Sequence, residues 1–192
     1  MRVHGCIKIS RRHISDARDY KKYEEELRED FGGICGYCGK SERVTKKGFE
    51  IDHFVPQDLE PTRRNDYANL VYSCFTCNRK KSKKWPTQDP NKPHDGLEGL
   101  VDPASEEYDL HLRRDTNGAI VPLTDVGKYM SDKVFLFHKR PISTIWKAME
   151  ICRLKDQLAK KVDQLSIEEY REYITIDAEL TELLDYLFKS RE

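Results

Sequence analysis

Two pairs of cysteines, each spaced C-x-x-C, constrain the fold of this chain more than any other feature. Cys35 and Cys38 form the first pair, and Cys74 and Cys77 form the second. Two such turns supply four thiolates, which close a tetrahedral zinc site with no open coordination position. A disulfide framework is an alternative for an even number of cysteines, but it is typical of short exported chains, and no signal peptide is visible here. We therefore predict a structural zinc ion, with redox-active or simply buried cysteines as the other interpretations.

The net charge is zero as a sum but uneven along the chain. The 192 residues contain 34 basic and 34 acidic side chains, which excludes a uniformly basic nucleic-acid coat. Residues 35–92 nevertheless hold 12 basic and 7 acidic side chains, a net charge of +5. The charge is +1 over 1–34 and −3 over each of 93–142 and 143–192. Both cysteine pairs therefore lie in the one distinctly cationic segment.

The apolar content indicates a folded protein with no membrane partner. Ten Tyr, seven Phe and two Trp provide aromatic mass for a core, which a disordered chain lacks. No stretch approaches the ~18 consecutive apolar residues that a membrane span needs. We expect a cytoplasmic protein.

Sequence patterns predict four consecutive segments. They are an N-terminal helical arm, a zinc-bound module, a loop-rich segment and a C-terminal helical hairpin, over residues 1–34, 35–86, 87–141 and 142–192. In the arm, apolar residues at helical spacing predict a helix over 15–31 with Ser15 as its N-cap. In the loop-rich segment, Pro and Gly recur without periodicity up to Gly118.

The zinc-bound module is predicted to contain a hairpin and a short helix. The hairpin strands are expected near 43–45 and over 49–55, and the helix over 78–84. The C-terminal helices are expected over 142–162 and 166–188, and a capping box, Ser166-Ile-Glu-Glu169, begins the second. The predicted fold class is α+β, with an N-terminal helix and a mainly helical C-terminal extension.

Residues with catalytic chemistry lie between the cysteine pairs and directly after them. Asp52-His53 precedes the second pair, and Asn78-Arg79-Lys80-Lys81 follows it. Taken alone, an Asp-His pair more often lies on the surface without a functional role, and Asn78 would serve simply as a helix cap. A carboxylate, an imidazole, an amide and a run of cations within one zinc-bound cationic module are far more specific together.

This combination resembles the HNH endonucleases, ββα-metal (His-Me finger) nucleases with a four-cysteine zinc site. Their signature runs from C-x-x-C through D-H-x-x-P and N-L to C-x-x-C-N-x-x-K. The match covers residues 33–86 and runs in order through the first cysteine pair, Asp52-His53-Phe-Val-Pro56, Asn69-Leu70, the second cysteine pair and Asn78-Arg-Lys-Lys81. The final His of the name-giving pattern is Asn78 here, a frequent variant that changes the type of ligand. The resemblance implies a zinc-stapled ββα-metal hydrolase that cleaves DNA.

The residue chemistry assigns a role to each member of the motif. Neutral His53 can take a proton from the attacking water. Asp52 and Asn78 offer oxygen atoms to a catalytic Mg²⁺ or Mn²⁺ ion. Asn69 is expected to fix a loop by hydrogen bonds and so to orient His53. Because neighbouring residues on a regular strand point to opposite faces, Asp52 and His53 can serve one phosphate only if the strand twists or ends there.

The cations after Cys77 have two interpretations. Runs of Lys and Arg usually form a solvated helix face. Beside a candidate nuclease site they favour contacts with DNA phosphates, which set affinity without reading sequence. We predict a direct phosphate contact by Lys81, with Arg79 and Lys80 beside it.

The sequence pattern is also compatible with a function other than nuclease activity. The main alternative is a catalytically silent zinc module that binds nucleic acid or a partner protein. Zinc deamination is disfavoured because no H-x-E motif is present.

Residues 85–122 are similar to the tails of HNH proteins from bacterial phage-defence systems, which work beside a companion ATPase. That similarity implies an antiviral nuclease whose C-terminal helices dock the ATPase. The histidines outside the motif, among them His94 and His111, are expected to be surface or satisfied residues.

Overall fold

The computed structural model describes residues 1–14, 18–161 and 165–189. It combines helices with two small antiparallel sheets, so the predicted α+β class is confirmed. None of the helices in the described ranges is long and apolar enough to cross a membrane.

The N-terminal helix begins later than the sequence pattern indicates. Its first turn is a 3-10 helix, Tyr20–Tyr23, and α1 follows over Glu24–Asp30. Asp19 is the N-cap, because its side chain accepts a hydrogen bond from the backbone N–H of Lys21 at 3.0 Å. The predicted N-cap, Ser15, lies outside the described residues. Gly32 and Gly33, both at positive φ, follow the end of the helix as expected.

The central sheet joins β1, Phe49–His53, to β2, Leu70–Cys74. The strands are antiparallel, with Phe49 opposite Cys74 and His53 opposite Leu70. The predicted hairpin partner was wrong, because residues 42–44 form a 3-10 turn instead. Val44 is buried with the C-terminal helices rather than with the sheet. Every residue of β2 is buried, so this strand is the better partner for β1.

Helix α2, Phe75–Lys81, starts directly after β2. The sequence placed this helix over 78–84, three residues too late at each end. Cys77 therefore lies inside the helix, and Cys74 is its N-cap. Ser82, at φ 47°, terminates it. The order β1, β2, α2 is the predicted ββα arrangement, with residues 54–69 as the connection between the strands.

The segment after α2 starts as turns and then forms short elements. These are α3 (Tyr108–His111), β3 (Leu112–Arg114), β4 (Ile120–Pro122) and α4 (Asp125–Tyr129), which continues into a π-helical turn over Met130–Phe135. Strands β3 and β4 pair antiparallel. Buried residues from Val3 to Ile142 share one apolar cluster, so the first three predicted segments pack around a common core.

Two long helices complete the described chain, α5 over Ile142–Ala159 and α6 over Ile167–Lys189. The predicted end of α5, Val162, lies outside the described residues. An ion pair of 2.6 Å joins Lys147 to Glu179, and another joins Lys155 to Asp177, as an antiparallel pair requires. The predicted capping box is confirmed: Ser166 N–H donates to Glu169 Oε2 at 2.8 Å, and Glu169 N–H donates to Ser166 Oγ at 3.2 Å.

Candidate zinc centre and active site

The four cysteines of the two pairs converge at one buried point. Their sulfur atoms all lie within 4.8 Å of one another, and the Cys38 and Cys74 sulfurs are 3.9 Å apart. Four thiolates held about 2.3 Å from a zinc ion in a tetrahedron lie about 3.8 Å from one another. All six cysteines, each within the described ranges, are free of disulfides. The predicted cysteine cluster is confirmed, and its geometry fits a structural zinc ion.

The first cysteine pair depends on a glycine turn. Gly39 has φ +68°, and its N–H donates to the carbonyl of Cys35 at 2.8 Å. A Cβ on Gly39 would lie 2.5 Å from the carbonyl oxygen of Val3. Backbone conformation and close packing therefore both require glycine at this position.

Arg140 lies beside the cysteine sulfurs and was not singled out from the sequence. Its guanidinium donates to Cys77 Sγ at 3.3 Å and to Cys38 Sγ at 3.8 Å. Four thiolates around Zn²⁺ carry a net charge of −2, so a partly buried cation at two of the sulfurs reduces the cost of burying the centre. Arg140 is 63 residues from Cys77 in the chain, and nothing local to the motif indicates it.

A cavity of about 660 Å³ opens where β1 meets α2. Glu50, Asp52 and His53 line it from β1, and Asn78 and Arg79 line it from α2. The structure therefore brings Asp52, His53 and Asn78 to one cavity, although they come from two separate stretches of sequence.

His53 is the last residue of β1, and its two ring nitrogens have different partners. Nε2 lies 2.8 Å from the carbonyl oxygen of Arg64, and Nδ1 lies 3.1 Å from the amide nitrogen of Gln57. A carbonyl can only accept, so Nε2 carries the proton and Nδ1 keeps its lone pair. Tyr20 packs edge-on against the ring at 4.8 Å between centroids.

The surroundings of His53 also favour the neutral ring. Burial lowers the pKa of His53 below its ordinary value, and the hydrogen bond to the Arg64 carbonyl opposes this only in part. Neutral imidazole, whose Nδ1 lone pair faces the Gln57 amide, is therefore the prevailing form at neutral pH. This is the protonation state of a general base.

Asn69 lies directly before β2 and binds the loop that follows β1 at two points. Its side-chain oxygen accepts from Val55 N–H at 2.8 Å, and its amide nitrogen donates to the Val55 carbonyl at 3.1 Å and to the Arg63 carbonyl at 3.3 Å. Arg63 precedes Arg64, whose carbonyl accepts from His53. Asn69 thus fixes the backbone segment whose Arg64 carbonyl orients the imidazole of His53.

Asp52 and His53 point to different sides of β1, as alternation on a strand requires. Asp52 is buried, with Tyr37 Oη donating to its Oδ2 at 2.5 Å and Lys81 Nζ 3.3 Å from the same oxygen. Burial raises the pKa of Asp52, whereas the Lys81 ammonium and the Tyr37 hydroxyl oppose that rise. Because the strand ends at His53, both side chains still line the same cavity.

The structure contradicts the predicted role of Lys81. Its side chain is completely buried, and its ammonium also donates to the His53 carbonyl at 2.7 Å. Burial lowers the pKa of Lys81, and the charge of Asp52 opposes that change. An ammonium enclosed in this way has no path to a DNA phosphate. Lys81 instead neutralises Asp52 and ties α2 to the end of β1.

Glu50 is the acidic residue that the sequence interpretation missed. Its Oε2 accepts a hydrogen bond from Asn78 Nδ2 at 2.5 Å, and its side chain is 32% exposed, against 7% for Asp52. Alternation on β1 offered a signal, because Glu50 and Asp52 lie two residues apart and so share a face. Of the two β1 carboxylates at the cavity, Glu50 is therefore the more accessible.

Arg79 and Lys80 differ in their access to the cavity. Arg79 is 68% exposed, lies 3.7 Å from Glu50 Oε1 and lines the cavity. Lys80 is half-buried and lies outside the cavity lining. Lys21 and Lys83 add further cations to that lining. Of the three predicted phosphate contacts, only Arg79 lines the cavity.

The oxygen donors at the cavity suit a hard divalent cation. Glu50 and Asp52 line the cavity with carboxylates, and Asn78 makes its hydrogen bond to Glu50 through Nδ2 rather than through its amide oxygen. Mg²⁺ prefers such oxygens and keeps several water ligands, so a partial protein shell is sufficient. The residues present therefore fit a catalytic Mg²⁺ ion.

Comparison with known proteins identifies the module. Residues 35–84 match the family described as HNH endonuclease. The chain therefore carries an HNH endonuclease domain, and that domain contains the cysteine cluster and all the β1 and α2 residues of the cavity.

Part of the chain is also similar to one characterised relative. The chain is 38% identical to Septu protein PtuB of Bacillus thuringiensis over 60 residues, which are 29% of this chain and 23% of the relative. The match thus spans less than a quarter of that protein's length. No solved structure matches this chain.

Proposed function

We propose that this chain is a metal-dependent HNH endonuclease that hydrolyses DNA phosphodiester bonds. The observation that carries the proposal is the orientation of His53. Its Nε2 is held by the Arg64 carbonyl, which leaves Nδ1 as the basic atom at a cavity shared with Glu50, Asp52 and Asn78.

The proposed reaction is an in-line displacement by water. His53 Nδ1 removes a proton from the water as its oxygen forms the new bond to phosphorus, and the bond to the leaving oxygen breaks. Asn78, Asp52 and Glu50 would hold Mg²⁺, which supplies positive charge to the phosphoryl and leaving oxygens when bound. Asn69 and Lys81 contribute by position, since they fix the loop and the strand end on either side of His53.

DNA binding is proposed to be local to the cationic module. Arg79 is the best placed phosphate contact, and Lys80 lies next to it on α2. The module carries +5 over residues 35–92, but the whole chain is neutral, so long-range attraction of DNA is weak. Substrate capture would then depend on a partner that delivers the DNA.

Cleavage of supercoiled plasmid in the presence of Mg²⁺ tests the proposal. Wild type should nick or linearise the plasmid, and His53→Ala should not. His13→Ala is the matched control, because His13 is exposed and distant in sequence from the motif. Equal cleavage by wild type and His53→Ala would refute the proposal, and DNA retention without cleavage by wild type would favour the silent binding module.

The biological setting is proposed to be a phage-defence system with a companion ATPase. The likeness of part of the chain to a Septu protein and the resemblance of residues 85–122 support this setting. A structural feature also favours a partner on the C-terminal helices. Ile167, Tyr170 and Ile174 of α6 are 70%, 52% and 53% exposed, and their spacing forms an apolar stripe on one helix face.

A further inference from the structure

Three side chains outside the HNH module form a second cluster of metal-binding type. His94 and His111 approach the same carboxylate oxygen of Glu107, with Nε2 to Oε1 distances of 3.0 and 3.2 Å. The candidate ligand atoms of all three residues lie within 4.8 Å of one another. The sequence shows no metal-binding motif that joins the three residues, since His94 lies 13 residues before Glu107.

Two of the three spacings between these atoms match a zinc coordination shell. Ligand atoms about 2.0 to 2.1 Å from a tetrahedral zinc ion lie about 3.3 Å apart. The two distances from Glu107 Oε1 to the imidazole nitrogens are close to that value. Two imidazoles and one carboxylate suit Zn²⁺, and three protein ligands leave the fourth position to water.

Each ligand is presented by a separately anchored piece of backbone. His94 pairs with Gly99 in an isolated β-bridge, and Gly99 must be glycine because a Cβ would lie 2.4 Å from His94 Cα. Glu107 and His111 lie one helical turn apart, at the start and end of α3. The Glu107 side chain is 45% exposed, and those of His94 and His111 are 25% and 11% exposed. The cluster is therefore rigid yet open to solvent on the side of Glu107.

A second hydrogen bond orients the ring of His111. His111 Nδ1 lies 2.6 Å from Thr124 Oγ1, and Thr124 also caps α4 by accepting from Gly127 N–H at 3.1 Å. A metal-binding imidazole is commonly held in this way through its other nitrogen. His94 Nδ1 is buried without a hydrogen-bond partner in the described ranges, so its ring makes its polar contact through Nε2.

We propose that His94, Glu107 and His111 form a second zinc site, distinct from the four-cysteine centre and with one open coordination position. Bound zinc would join the loop that carries His94 to α3 and, through Thr124, to the start of α4. The site thus cross-links a segment with little regular secondary structure.

Titration of zinc into the full chain tests the proposal. The four-cysteine centre is first loaded with one equivalent of zinc, and excess Mg²⁺ occupies the nuclease cavity. Calorimetry with Zn²⁺ should then detect one further equivalent, and X-ray absorption should show a nitrogen and oxygen shell in addition to sulfur. Absence of a further equivalent would overturn the proposal.

Variants assign the extra zinc to these residues. Glu107→Gln and His94→Ala should each reduce total zinc from two equivalents to one. His138→Ala should keep both, because His138 lies 3.7 Å from the Asp132 carboxylate and, within the described ranges, belongs to no group of three metal-binding side chains. Glu107 is the most exposed ligand, so Glu107→Gln leaves the fold intact, and retention of the second zinc in that variant would refute the ligand assignment.

Discussion

Lys81 Nζ lies 3.3 Å from Asp52 Oδ2, and both side chains are buried at the junction of β1 and α2. This ion pair links the helix that carries Asn78 to the strand that carries His53. It places the lysine of the motif inside the protein rather than on its DNA-facing surface. The consequence is that a residue resembling a phosphate contact acts first as a structural support of the site.

We expect Lys81→Met to destabilise the protein strongly. The substitution leaves the Asp52 carboxylate buried without its cation, and loss of one partner of a buried pair costs roughly 3 to 5 kcal/mol. Urea denaturation measures the change in the free energy of unfolding. Lys80→Met is the matched control and should stay within ~0.5 kcal/mol, as expected for a change away from buried networks. Equal stability of the two variants would contradict the burial of Lys81.

Glu50→Gln is expected to weaken the binding of Mg²⁺ by the nuclease. Removal of the accessible carboxylate lowers the negative charge offered to the cation and changes the partner of Asn78. We expect the Mg²⁺ concentration for half-maximal cleavage to rise about 10- to 100-fold, the range found when support of a metal site is lost. Glu106→Gln serves as control, because the Glu106 side chain is 95% exposed and lies in the loop-rich segment. An unchanged Mg²⁺ dependence would exclude Glu50 from the cation site.

The pH dependence of cleavage should report the lowered pKa of His53. A general base works when deprotonated, so activity should rise with pH through the pKa of His53 and then level off. Because burial places that pKa below the ordinary imidazole value, the plateau should already be reached at neutral pH. A profile of kcat/KM against pH measures this. A rise in kcat/KM centred well above neutral pH would argue against His53 as the base.

Loss of a zinc thiolate should unfold the HNH module. Metal binding at structural sites of this type contributes on the order of 10 kcal/mol to folding. Cys77→Ser should therefore reduce zinc content and lower Tm sharply. The exposed Cys6 lies outside the cluster, so Cys6→Ser should leave both quantities unchanged. Mass spectrometry of the intact protein and calorimetry give the two readouts, and a stable zinc-free Cys77→Ser variant would contradict the structural role.

The exposed stripe of α6 should be needed for a partner and not for folding. Replacing Tyr170 and Ile174 by Glu places charge on a docking face, whereas stability should change by only about 0.5 kcal/mol per exposed site. We expect co-purification of a companion ATPase to be lost while the Tm is kept. Glu168→Gln, also on the first turn of α6, is the control. Retained co-purification by the double variant would place the docking surface elsewhere.

Parts of the fold and of the site were predictable because their determinants are local. The C-x-x-C spacings position thiolates on tight turns, and the Ser166 to Glu169 capping box acts within four residues. The partner of β1 was not predictable in the same way. Residues 43–45 are adjacent to β1, but Val44 is drawn into the cluster of α5 and α6, and the buried run 70–74 takes the place beside the strand.

The sequence by itself determined the chemistry available to this protein: the four thiolates, the Asp52-His53 pair, Asn78 and the cationic segment that holds them. Tertiary structure decided which of these groups reach solvent and which partners they meet. It buried Lys81 against Asp52, left Glu50 more accessible than Asp52, and brought His94 to Glu107 and His111. The physical reason is that a side chain's identity is encoded locally, whereas its burial and its neighbours depend on the packing of segments distant in sequence.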